Sequence, residues 1–119
     1  MKFSVAWDCR AKEVYDALKL KAEASLRARE KSKSKKATRD EGTFKQVSKC
    51  IQLLRQNPRH PGLQTHEFSS MSNPFRKDQK VFAAYAQQNP PGAYRVFWCY
   101  GPRKNEITIV AITPHPGRK

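Results

Sequence analysis

Two runs rich in β-branched and aromatic residues, Ala93–Tyr100 and Ile107–Thr113, flank a short polar turn, Gly101–Glu106. A chain that carries this pattern must build a sheet, because such side chains favour a pleated, half-buried surface and the Gly-Pro…Asn turn lets the backbone reverse. In the first run Tyr94, Val96, Trp98 and Tyr100 point one way, and Arg95, Phe97 and Cys99 the other. The second run is apolar on both faces, with Ile107, Ile109 and Ala111 set against Val110 and Ile112, so it reads as a central strand covered on both sides or nearly so. The expectation is an antiparallel hairpin at the heart of a sheet, with one cation, Arg95, projecting from the less aromatic face. The strand stops at Thr113-Pro114-His115-Pro116, placing a histidine at its end.

The remaining elements can be read around that hairpin. Lys2–Trp7 alternates as a short strand, and Asp8 follows as a helix N-cap. Ala11, Val14, Tyr15, Leu18, Ala22 and Leu26 then recur at helical spacing, predicting an amphipathic helix over Cys9–Glu30. Lys31–Glu41 has no apolar residue except Ala37 and reads either as a solvated helix extension or as a flexible basic connector. Thr43 and Gln46 match a capping box that opens a second helix, with Phe44, Val47, Cys50, Ile51 and Leu54 as its stripe and Asn57-Pro58 as its stop. Arg59–Gly62 reads as a turn, Leu63–Phe68 as a weak strand, Ser69–Gln79 as a polar loop and Lys80–Gln87 as a further strand. The order β, α, α, β, β, β, β, with short turns among the late strands, predicts an α+β fold. In it an N-terminal strand and a helical hairpin pack on one face of an antiparallel meander, and the other face stays partly open. At 119 residues this is read as one domain, 1–119, with the basic flexible insertion at about 31–41.

Charge narrows the partner class. Lys and Arg number 24 against 10 acids, a net +14. Every phosphate neutralised by a cation releases counterions, so such a surface attracts nucleic acid or an acidic protein. No apolar run approaches the length of a membrane span, and the N-terminus lacks a secretory pattern. Cys9, Cys50 and Cys99 imply no disulfide framework, which fits a reducing cytoplasm. With His60, His66 and His115 they show no metal-ligand spacing, so neither a metal nor another cofactor is expected. His60 and His66 are read as a turn and a surface histidine with spare acid–base capacity.

Several short motifs carry a resemblance. The Asp-capped first helix, a second helix ending at N-P-R-H-P, the Y-R-V-F-W strand and a final I-T-I-V-A-I-T leading to P-H-P together resemble the RelE/ParE superfamily of bacterial toxins, the toxin halves of type II toxin–antitoxin pairs. The resemblance implies an mRNA interferase that cuts messenger RNA on the ribosome without metal and is neutralised by an acidic cognate antitoxin. It also implies alternatives on the same fold: a ParE-like inhibitor of DNA gyrase, or a non-catalytic nucleic-acid-binding relative. The arginine of the Y-R motif matches Arg95, expected to contact phosphate, and His115 falls where many such nucleases carry a catalytic group. Tyr85 is expected to stack on a base or to join the core, and Tyr100, on the Trp98 side, to join the core. Ribosome-dependent members often carry cations on the strand before Y-R, whereas Val81–Tyr85 carries none. Lys80, with Arg76 and Lys77 from the loop, is expected to substitute from its edge, and Arg103, Lys104 and Arg118 to add further RNA contacts.

Overall fold

The computed structural model describes residues 2–68, 73–76, 79–87 and 93–114. Strand β1 (Ser4–Trp7) leads into helix α1 (Cys9–Ser32), helix α2 (Arg39–Gln56) and four further strands: β2 (His66–Glu67), β3 (Phe82–Tyr85), β4 (Tyr94–Tyr100) and β5 (Glu106–Pro114). The sheet order is β1-β5-β4-β3-β2. The late strands pair antiparallel as a meander, while β1 pairs parallel with β5, Val5 opposite Ile107 and Trp7 opposite Ile109. The expected α+β architecture is therefore present: two helices cover one face of a five-stranded, mostly antiparallel sheet.

Local chemistry sets the helix ends. The Asp8 carboxylate accepts from the Arg10 amide at 2.9 Å and opens α1. Lys33 closes it in the left-handed region at φ 60°, its N–H returning to carbonyls of the last turn. The start of α2 differs from the sequence expectation. It opens at Arg39, capped by Thr38, and the capping box is Thr38 with Glu41, not Thr43 with Gln46. Thr43 is needed elsewhere: it is 7% exposed and shares a face with Val47, Cys50, Ile51 and Leu54. Glu41 has a second partner in Arg29 of α1, whose Nη2 and Nε reach its two carboxylate oxygens at 2.7 and 3.0 Å. These hydrogen bonds hold the Glu41 carboxyl below its ordinary range and raise the Arg29 guanidinium. Ser25 and Thr38 join hydroxyls beside this contact. The stretch expected as an insertion thus resolves into the last residues of α1, a connection over 33–38 and the first turn of α2.

Two further departures concern strands. Leu63–Phe68 forms only the two-residue β2, because Pro61–Leu63 is a 3-10 turn capped by His60, with Gln64 left-handed after it. In β5, Phe97 lies opposite Ala111 but Trp98 opposite Ile109, so Val110 is the extra residue of a bulge. The bulge resets the alternation. Ile107, Ile109 and Ile112 all join the helix-side core, with Trp98, Val96, Leu54 and Val47, while Val110 and Ala111 pack on the opposite face against Phe97, Cys99, Ala83 and Val81. The expected split, which grouped Ala111 with the first two isoleucines and Ile112 with Val110, is corrected by that one residue. Gly101 accepts a φ of 100° at the start of the β4–β5 turn, a conformation that strains residues with a Cβ.

Candidate nucleic-acid interface

The face of the sheet away from the helices is divided along its length. Toward the Tyr100 end of β4 it is sealed by Val81, Ala83, Phe97 and Cys99, with the Phe68 ring on Phe97 at 4.7 Å. Asn73 is buried there and organises the approach to β3, accepting from the amides of Phe75 and Arg76 and reaching the Lys80 carbonyl. Toward the other end the face carries polar side chains. Tyr85, Arg95 and Thr113 stand opposite one another on β3, β4 and β5, so the period of the strands places all three on this open side.

Arg95 is the cation of that end. Its Nη2 donates to the Tyr85 hydroxyl at 3.0 Å, and its guanidinium carbon lies 4.5 Å from the centroid of the Tyr85 ring. Both contacts restrict a long side chain that would otherwise sample many rotamers, which pre-orients a planar donor fork. On the far side of Tyr85 lies His66, ring centroids 5.6 Å apart. Nδ1 of His66 is 3.4 Å from the Gln64 carbonyl. A carbonyl can only accept, so Nδ1 is the protonated nitrogen and the Nε2 of the neutral ring keeps its lone pair. The open face therefore presents a row: a guanidinium, a phenol and an imidazole with a free acceptor nitrogen.

The structure separates the other expected contacts from this row. Arg103 and Lys104 lie in the β4–β5 turn, and Lys80 just precedes β3. Tyr100 is five positions beyond Arg95, which at about 3.3 Å per residue puts that turn roughly 17 Å or more along the strand from Arg95. Lys80 is in an ion pair with Glu67 at 2.7 Å. Arg76 is exposed and shares the Asn73-organised segment. Lys77, His115 and Arg118 lie outside the described residues. Tyr100, expected in the core, is on the helix side as read but is 44% exposed. His66 is exposed, as a surface histidine should be, yet its ring contact with Tyr85 ties it to Arg95; only the pairing of β2 with β3 reveals this, and β2 is too short to be read from sequence.

The two buried thiols are not poised for such chemistry. Burial pushes Cys50 up to about 12 and Cys99 up to about 11, so neither is a thiolate near neutral pH. Among the described residues no group of three or more His, Cys, Asp or Glu side chains gathers to hold a metal ion, and no helix is long and apolar enough to cross a membrane.

The fold is similar to that of solved toxin structures. The chain is similar to the archaeal RelE–RelB complex from Pyrococcus horikoshii OT3, with a TM-score of 0.57 and 11% identity over 98% of each chain. It is also similar to the YoeB/ParE toxin from Agrobacterium tumefaciens, with a TM-score of 0.56 and 8% identity over 94% of this chain and 98% of that one. No protein-family model and no curated protein sequence matches. The fold is thus a RelE/ParE-like toxin fold, recognised by shape across nearly the whole chain.

Proposed function

We propose that the protein is the toxin component of a toxin–antitoxin pair and that it cleaves messenger RNA without metal, using the open sheet face. The observation that carries this reading is Arg95, oriented by Tyr85 on the open side of a basic chain with a net charge of +14. Cleavage of an RNA strand needs a base to take the 2′-hydroxyl proton, a cation to stabilise charge gathering on the phosphoryl oxygens and an acid to protonate the leaving 5′-oxygen. Arg95 supplies the cation. The Tyr85 oxygen accepts from Arg95, which leaves its own O–H free to donate to a phosphate oxygen. His66, with its Nε2 lone pair, serves as the base, and the acid is assigned to His115. The antitoxin partner is proposed by likeness to the RelE–RelB complex: an acidic protein laid over Arg95 would mask the charge that RNA needs.

A second reading is favoured by one observation. Strand β3 carries no cation within Phe82–Tyr85, and Lys80 beside it is paired with Glu67. On that reading the protein binds nucleic acid on the same face without cutting it. Inducible expression in a bacterial host, followed by primer extension on abundant messages, separates the two. Discrete cuts that vanish with Arg95→Ala and with His115→Ala support the nuclease. Growth arrest with intact messages moves the target to gyrase or another partner, and no arrest from folded protein leaves the binding reading.

A further inference from the structure

Under the edge of the sheet, on the side the helices cover, lies an open cavity of about 690 Å³, well within the size range of small-molecule sites. One wall is aromatic. The Phe82 ring lies 5.0 Å from Trp98 at 30°, and the Tyr100 ring stands against both at 78°, 4.9 Å from Trp98 and 5.9 Å from Phe82. Tyr100 keeps nearly half its surface exposed, the largest exposure of any aromatic residue lining this cavity.

The opposite wall is the connection from α2 to β2 with Glu67 of β2, and it is polar, with Arg59 its one cation and Glu67, paired with Lys80, its one acid among the described residues. Arg59 is exposed beside it. Nδ1 of His60 accepts from the Gly62 amide at 2.9 Å, so the proton of the neutral ring is on Nε2. His66, whose Nδ1 faces the Gln64 carbonyl, has the opposite tautomer. The cavity is thus bordered by the His60 imidazole, which offers N–H, whereas the His66 ring turns to the open face beside Tyr85. Thr65 Oγ1 and Trp98 Nε1 are buried polar atoms without a hydrogen-bond partner among the described residues, and both residues line this cavity.

We propose that this cavity binds one nucleotide unit, with its base stacked against Tyr100 and Phe82, its edge read by His60 and its phosphate held by Arg59. An aromatic face accepts any base, and the His60 N–H favours base edges that present an acceptor. His66 borders this cavity, while its ring turns to the row with Tyr85 and Arg95 on the other face. On the RNA reading above, on which this step rests, the bound unit is a residue of the message a few nucleotides away from the bond that is cut, and the cavity sets sequence preference.

The chain has two tryptophans, so Trp7→Phe, outside the cavity, leaves Trp98 as the sole indole reporter. Its emission is titrated with AMP, GMP, CMP and UMP, with the matching nucleosides, and with inorganic phosphate. The expected result is a saturable change with at least one nucleotide and none with phosphate alone. Affinity falls about ten-fold in Tyr100→Ala, or in Tyr100→Leu should the alanine variant fail to fold by circular dichroism. Arg59→Gln weakens the nucleotide but not its nucleoside. No saturable change with any nucleotide, or a change that all these variants retain, overturns the cavity. Primer extension then tests the link to cleavage: Arg59→Gln and Tyr100→Leu should shift the cut positions while Arg95→Ala abolishes cuts and keeps nucleotide binding. Nucleotide binding with unshifted cuts overturns the RNA assignment. Cleavage without nucleotide binding overturns the cavity and leaves the nuclease standing, whereas binding without any cleavage by the unmutated site sinks the nuclease and keeps the cavity.

Discussion

The two faces of β4 follow opposite rules. Val96 and Trp98 turn toward the helices and are almost wholly buried, as are Leu54 and Ile109, which belong to the same cluster. One residue earlier, Arg95 turns to the open side and is only partly covered. The helix face has the close packing that makes volume matter, while the Arg95 end of the open face has an oriented cation whose loss leaves no void in the core. The difference teaches where stability and chemistry can be changed independently.

The largest expected effect comes from breaking the covered face. Ile109→Ala should destabilise by about 2–5 kcal/mol, from lost apolar burial and the cavity left behind, read as a lower urea midpoint. Arg95→Ala should do the reverse. Its stability should change by less than about 1 kcal/mol, while, on the nuclease reading, RNA cleavage falls about 10²–10³-fold, the usual cost of removing one donor to a developing charge. Equal loss of stability in the two variants would erase the distinction between the faces and make Arg95 a structural residue.

The buried thiols extend the comparison to pH. Cys50 lies on the helix side and titrates near 12 in the folded chain because burial disfavours its charged form. Its contribution is fully present below the ordinary thiol value of about 8.5. Above that value the unfolded chain ionises first, so stability should fall by about 1.4 kcal/mol per pH unit until the folded value is reached. Urea titrations between neutral and alkaline pH should show this limb, and Cys50→Ala should make it shallower. Cys99, on the other face, titrates near 11 and should contribute over a narrower window.

Much of the covered face was legible in the sequence because burial writes a period. The spacing of Ala11, Leu18 and Ala22, and of Val47, Cys50 and Leu54, marks helices whatever they pack against. The alternation of β4 likewise places Arg95 on the face opposite Val96 and Trp98 without any coordinates. What escaped was set by partners distant in the chain. The box at Thr38 prevailed over the one at Thr43 because Glu41 also meets Arg29 and Thr43 faces the core. The Val110 bulge has no local signature, since every residue around it is apolar or β-branched. The parallel seat of β1 beside β5 joins opposite ends of the chain. His66 was unreadable as a neighbour of Arg95 because only the short β2–β3 pairing brings it to Tyr85.

Tyr85→Phe sharpens the comparison within the open face. The ring, and with it the contact to Arg95 and His66, is retained, while the hydroxyl that accepts from Arg95 is lost. A hydrogen bond of this kind contributes about 0.5–1.5 kcal/mol, so cleavage should fall by up to about ten-fold with little change in fold. An unchanged rate would show that the ring alone orients the guanidinium.

The smallest effect concerns Lys80, which sits toward the Tyr100 end, away from Arg95. Its ammonium is 2.7 Å from Glu67, yet the two side chains are 63% and 59% exposed. Water and salt screen such a pair, and holding two long side chains costs entropy, so Lys80→Ala should change stability by less than about 1 kcal/mol. The pair nevertheless offers a clean discrimination. A cation that contacts phosphate adds about one to the slope of log affinity against log salt. If the RNA path reaches this end, Lys80→Ala lowers that slope by about one, and Glu67→Gln, which frees the ammonium, tightens binding. If RNA occupies only the row at Arg95, both variants leave the slope unchanged while Arg95→Ala still lowers it, and the basic character of the far end serves something other than the message.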